Sequence, residues 1–127
     1  MVGRGPSSSR RHEGGRVVKT TGDGLLAVFD SPSGGVRAAL ALIPALHDLG
    51  IDIRVGLHTG EIERRGDDVA GLAVHIAARV QSLAPPGGVL TTTTVRDLVL
   101  GSPFTFTPEG THSLKGVPGE WHILAVE

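Results

Sequence analysis

Val69, Leu72, Ala73, Ile76, Ala77, Val80 and Leu83 recur at the spacing of one helical face, and Pro85-Pro86-Gly87-Gly88 stops the pattern. Such a stripe predicts an amphipathic helix that must bury one side against another element. The flanking segments read as strands. Ile51-Asp52-Ile53-Arg54-Val55-Gly56-Leu57-His58 alternates with period two, and Val89-Leu90 is a short apolar run after the glycine pair. A helix set between two strands commits the chain to layers of helix on sheet.

The remaining segments extend this pattern. Val17-Val18-Lys19-Thr20, Thr21-Gly22-Asp23-Gly24 and Leu25-Leu26-Ala27-Val28-Phe29 run apolar, turn, apolar, which is a hairpin signature. Ser33 to Leu49 carries a helical stripe at Val36, Ala39, Leu40, Ile43 and Leu46, stopped by Gly50. Pro44 inside that stripe predicts a kink or an early end near Ile43. Thr59 to Asp68 is polar and reads as a turn or a second short hairpin arm. Thr91 to Leu100 reads as a capped helical segment with Val95, Leu98 and Val99 on one side. Phe104–Thr107 and Trp121–Val126 form a closing strand pair around the Gly116–Gly119 turn. Strands and helices alternate without a strict βα rhythm, which favours an α+β sandwich over a doubly wound sheet.

At 127 residues the chain has room for one core. Twelve Lys and Arg against thirteen Asp and Glu leave it near neutral, against a protein held mainly by nucleic-acid phosphates or an anionic membrane surface. Four of the ten Arg fall within residues 1–16, so the body is mildly acidic. Residues 1–15 hold Gly, Pro, Ser and Arg with almost no apolar content and read as a disordered basic lead, with the folded domain spanning 16–127. The absence of cysteine excludes a disulfide framework and a thiolate metal site, and points to a reducing cytoplasm. No apolar run reaches the roughly 20 residues of a membrane span, and no signal-peptide pattern opens the chain. Phe29, Phe104, Phe106 and Trp121 are the only aromatics, so the core must be aliphatic.

Two constellations can carry chemistry. Lys19 precedes Asp23, a carboxylate flanked by Gly22 and Gly24, where the backbone can turn sharply and a phosphate or metal can approach. Gly-Asp-Gly is also a good hairpin turn in its own right. Asp68, His75 and Arg79 are spaced by seven and four residues, one face of a continuous helix. A guanidinium there can clamp a phosphate and a carboxylate can accept from a base amine, while a solvated polar face fits the same pattern. Asp67 doubles Asp68, so the choice of carboxylate stays open on local grounds. His58 and Glu61 follow a strand and read as a turn. His12, His47, His112 and His122 have no spaced partners that would make a metal site.

Together these segments resemble the class III nucleotide cyclase catalytic domain, in the form common among actinobacterial adenylate cyclases. The strings that carry the resemblance are Val18 to Gly24, Ile53 to Glu61, Asp68 to Val80, and His112-Ser113-Leu114-Lys115-Gly116-Val117. It implies a ferredoxin-like α+β sandwich, a mixed or antiparallel sheet with helices on one face. It also implies a head-to-tail homodimer, or a heterodimer with another cyclase domain, that converts ATP to cyclic AMP and pyrophosphate with two Mg²⁺ or Mn²⁺ ions. By the resemblance Asp23 is the second metal aspartate, Lys19 reads the purine edge, and Asp68 accepts from the adenine amine. Arg79 stabilises charge on the α-phosphate. His75 stands where the family carries its transition-state asparagine.

The family's opening strand, with the first metal aspartate, and the two helices after it have no counterpart in residues 1–15. That implies weak or absent turnover by the chain alone, or a non-catalytic role as a nucleotide-binding or regulatory partner of an intact cyclase. In the family that strand lies between those of Phe29 and Val55. The two must therefore close together, exchange with another chain or leave edges unpaired, which predicts a tight or swapped oligomer.

Overall fold

The computed structural model describes residues 15–21 and 24–127. In chain order the elements are β1 (Gly15–Thr21), β2 (Gly24–Phe29), α1 (Pro32–His47), β3 (Val55–Leu57), β4 (Glu63–Arg65), β5 (Asp68–Ala70), α2 (Leu72–Leu83), β6 (Val89–Thr92), α3 (Thr93–Leu98), β7 (Phe106–Ser113) and β8 (Glu120–Val126). The class is α+β, as the alternation of patterns predicts. The main sheet is mixed, in the order β3-β6-β8-β7: β3 runs parallel to β6, and the other pairs are antiparallel. β1 and β2 form the expected hairpin, and β4 and β5 a second one.

Four local expectations are corrected. α1 starts where Ser31 caps it, its hydroxyl accepting from the Gly34 N–H at 3.1 Å, with Pro32 in the first turn. It does not end at Ile43 but runs through Pro44 to His47. Pro44 costs the helix one bond, the one an N–H would give to the Leu40 carbonyl in the preceding turn. Its own carbonyl still accepts from the Asp48 N–H at 3.0 Å.

The strand expected from Ile51 begins only at Val55, because its ladder partner begins at Val89. Before that point the Pro85–Gly88 turn takes up the backbone. Gly87 donates to the Ile53 carbonyl (2.6 Å), and the Arg54 guanidinium donates to the Ala84 carbonyl (2.9 Å). Val69 belongs to β5, and α2 starts three residues later, after Gly71 at φ 122°. The closing strands are longer than the apolar runs alone indicate, because backbone pairing carries β7 through polar residues to Ser113.

Alternate residues of the main sheet feed two cores. Val55, Leu57, Val89 and Val126 pack with Val36 and Ala39 of α1 and Val95 of α3. On the other face Leu90 and Ile123 pack with Ile76 and Val80 of α2, together with Leu114 and Val117 of the β7–β8 turn. The expected placement of helices over one face is met by α1 and α3, whereas α2 covers the opposite face. A third cluster joins Leu26 and Val28 of β2 to Val69, Ala73 and Ala77. The core is aliphatic, and fully buried side chains such as Val36, Leu57 and Val80 each contribute about 1.5–3 kcal/mol by burial.

β2 and β3 belong to separate sheets, with no ladder between them among the described residues. α1 and α2, which pack on elements of both sheets, tie them together. No helix of the described residues is long and apolar enough to cross a membrane.

Candidate functional site

α2 presents the first part of the site. Its buried side holds Ala73, Ile76, Ala77 and Val80, which leaves His75 and Arg79 half-buried on the other side, one turn apart and about 6 Å along the axis. Among the described residues the Arg79 guanidinium has no hydrogen-bond or ion-pair partner, so its fork of donors is available to a ligand.

Asp68 does not share this helix. Gly71 separates it from α2, and it heads β5, paired with Arg65. There it is half-buried, and its Oδ1 accepts from the Val69 N–H at 2.7 Å. The spacing of seven residues is therefore a coincidence of number. Asp67, the competing carboxylate, is exposed in the β4–β5 turn.

Lys19 lies on β1 opposite Leu26, just past the register shift between Val17 and Lys19. β1, which carries Lys19, packs beside β5, which Asp68 heads. Asp23 lies outside the described residues. Among the described residues no three carboxylate or imidazole side chains gather to hold a metal ion.

His75 is anchored from outside its helix. Its Nε2–H donates to the Lys115 carbonyl in the β7–β8 turn, 2.9 Å away. Lys115 carried no assignment from sequence, although the Leu114-Lys115-Gly116-Val117 string was visible there. Leu114 and Val117 are the buried plugs that seat this turn on α2.

His58 was also missed. It is not a turn residue but a buried imidazole, 2.7 Å from the Thr92 hydroxyl and edge-on to Trp121 at 5.7 Å. Burial pushes its pKa down to about 4, so it is neutral at pH 7 and has a structural use. Period-two alternation sets His58 on the same face as Asp52 and Arg54, so its burial left no signal in the pattern.

A groove of about 510 Å³ lies elsewhere, lined by Leu40, Ile43, Leu83, Val89 and Ala125 among others. Asp68, His75 and Arg79 do not line it.

The sequence model of the family described as adenylate and guanylate cyclase catalytic domain matches residues 8–126. The adenylate cyclase of Glutamicibacter nicotianae is 42% identical over 80 residues, covering 61% of this chain and 20% of that protein. The adenylate cyclase of Streptomyces coelicolor is 39% identical over 82 residues, covering 63% of this chain and 22% of that protein. A crystal structure described as an adenylate/guanylate cyclase/hydrolase from Silicibacter pomeroyi superposes with a TM-score of 0.82 at 29% identity. It covers 90% of this chain and 73% of that one. The matched stretches thus span about a fifth of the two bacterial cyclases.

Proposed function

The chain belongs to the adenylate and guanylate cyclase catalytic domain family, and we propose that it forms half of an ATP-cyclising site that a second cyclase domain completes. The observation that carries this reading is the packing of β1 beside β5, with Lys19 and Asp68 on the two strands. An ammonium donates and a carboxylate accepts, which suits the ring-nitrogen acceptor and amine donor on the edge of adenine. Guanine offers the reverse pattern, so the pair favours ATP over GTP.

Arg79 takes the phosphate end. Its guanidinium, without a partner among the described residues, suits bidentate contact with phosphoryl oxygens and stabilises charge as it develops there. In the reaction the ribose 3′-oxygen bonds to the α-phosphorus, the bond to the β-phosphate oxygen breaks, and pyrophosphate leaves. The hydroxyl proton passes to solvent. A bound Mg²⁺ or Mn²⁺ would acidify that hydroxyl and neutralise the triphosphate. The described residues assemble no metal site; in a homodimer Asp23 would hold one ion, and in a heterodimer the partner's carboxylates would hold both.

The resemblance matches only one residue, Asp23, to a two-aspartate metal site. We therefore assign the 127-residue chain weak or no turnover by itself, as a homodimer, and turnover in a heterodimer whose partner supplies both metal aspartates. The site would work in the cytoplasm, where ATP is held. The second reading, a nucleotide-binding regulatory partner without chemistry, draws on His75. Its neutral-state donor is engaged by the Lys115 carbonyl and is not open to the transition state.

Equilibrium titrations test the reading. ATP should bind more tightly than GTP, and Lys19→Ala or Asp68→Ala should abolish that preference. An ATP affinity indifferent to both substitutions would refute it.

A further inference from the structure

A neutral imidazole has one N–H, and the geometry fixes which nitrogen of His75 carries it. Nε2 lies 2.9 Å from the Lys115 carbonyl oxygen, which can only accept, so Nε2 holds the proton and Nδ1 is left with a bare lone pair. The contact is built in rather than incidental. Gly116 stands at φ 81°, and a Cβ there would come within 2.8 Å of Nε2. On either side Leu114 and Val117 are buried against Ile76 and Val80. Freeing Nε2 therefore means undocking the whole turn.

The charged or titratable side chains on the elements packed with α2 are Arg79 on the helix, Arg16 and Lys19 on β1, Asp68 heading β5, Lys115 on the turn, and Glu120 and His122 on β8. β3 and β6 carry no titratable side chain, and His58 beyond β3 is buried against Thr92 and Trp121. A polyphosphate on Arg79 brings several negative charges near an imidazole that, while neutral, has only a lone pair to offer. One proton from solvent on Nδ1 turns that repulsion into a charge-assisted donor, with Nε2 still on the Lys115 carbonyl.

We propose that binding of a nucleoside triphosphate takes up one proton on Nδ1 of His75. The inference rests on the ATP-binding reading above and adds a proton linkage to it. Histidine is the side chain suited to this, because its charge changes between pH 5 and 8.

The test uses the full chain with Mg²⁺ and α,β-methylene-ATP, whose carbon bridge cannot release pyrophosphate. Nitrogen-15 spectra of labelled histidine should place the proton of the neutral His75 ring on Nε2. With the analogue bound, protonation of Nδ1 should move to higher pH. Calorimetry in two buffers of different ionisation enthalpy should return up to one more proton taken up by wild type than by His75→Asn, a difference that removes the ligand's own phosphate titration. Affinity of the wild type should then fall by up to about tenfold per pH unit more steeply than that of His75→Asn. Saturation with the His75 titration unmoved overturns this inference and leaves the ATP-binding reading standing. Failure of the wild type to bind the analogue overturns that reading itself. The spectra need no variant, so a misfolded His75→Asn does not block the test.

Discussion

The imidazole of His58 and the hydroxyl of Thr92 are hydrogen-bonded, 2.7 Å apart, on the face of the main sheet that α2 covers. His58 is only 5% exposed, and burial lowers its pKa from 6.5 to about 4. The unfolded chain therefore binds a proton at higher pH than the folded chain does. Stability should be fully present above pH 6.5 and should fall as pH drops toward 4, by up to about 3 kcal/mol. Urea midpoints across that range check this, and His58→Phe should remove this part of the slope. A slope identical in the variant would show that His58 is not its source.

Gly56 is where α2 lies directly on the sheet. A Cβ there would come within 2.2 Å of the Gln81 backbone nitrogen and 2.6 Å of the Ala77 carbonyl oxygen. Because neither neighbour is a flexible side chain, Gly56→Ala must push the helix away. It should cost at least about 1–3 kcal/mol in denaturant unfolding and weaken ATP binding through the displaced Arg79. An unchanged midpoint would show that the strand and helix have slack between them.

Arg79→Ala should weaken ATP binding about ten- to a hundredfold, the range of one charged hydrogen-bonding group, while the unfolding midpoint moves by no more than about 0.5 kcal/mol. Adenosine, which lacks phosphates, should bind variant and wild type alike. Arg79→Lys should recover part of the loss, since it keeps the charge without the fork. Equal loss for adenosine and ATP would remove Arg79 from the phosphate end.

The β1–β2 hairpin and the main sheet are separate ladders joined by helix packing, and the proposed site needs a second domain. Light scattering after size exclusion should find a dimer or larger species at micromolar concentration. A well-folded monomer would contradict the shared-site account.

Periodicity made the major elements legible, because the core stripes of α1 and α2 and the apolar runs of β2 and β6 are direct records of burial. It failed where tertiary contacts decide. Pro44 reads as a stop, yet the helix runs through it to His47. Val69 fits the α2 stripe, yet it is buried from a strand, since Ala73 and Ala77 meet it from across the Gly71 break. The same break puts Asp68 on β5, off the helix that carries His75 and Arg79. The anchoring of His75 joins residues 40 positions apart and ends on a backbone carbonyl, which no side-chain pattern records.

The most direct test of the central claim is cyclic AMP production from ATP with Mn²⁺, by this chain mixed with an intact cyclase domain whose purine-reading lysine has been replaced. Each component alone should yield little or no product. The mixture should yield cyclic AMP, and Arg79→Ala in this chain should abolish it. A mixture as silent as its components, with both proteins folded and associated, would contradict the claim that this chain supplies half of a working cyclase site.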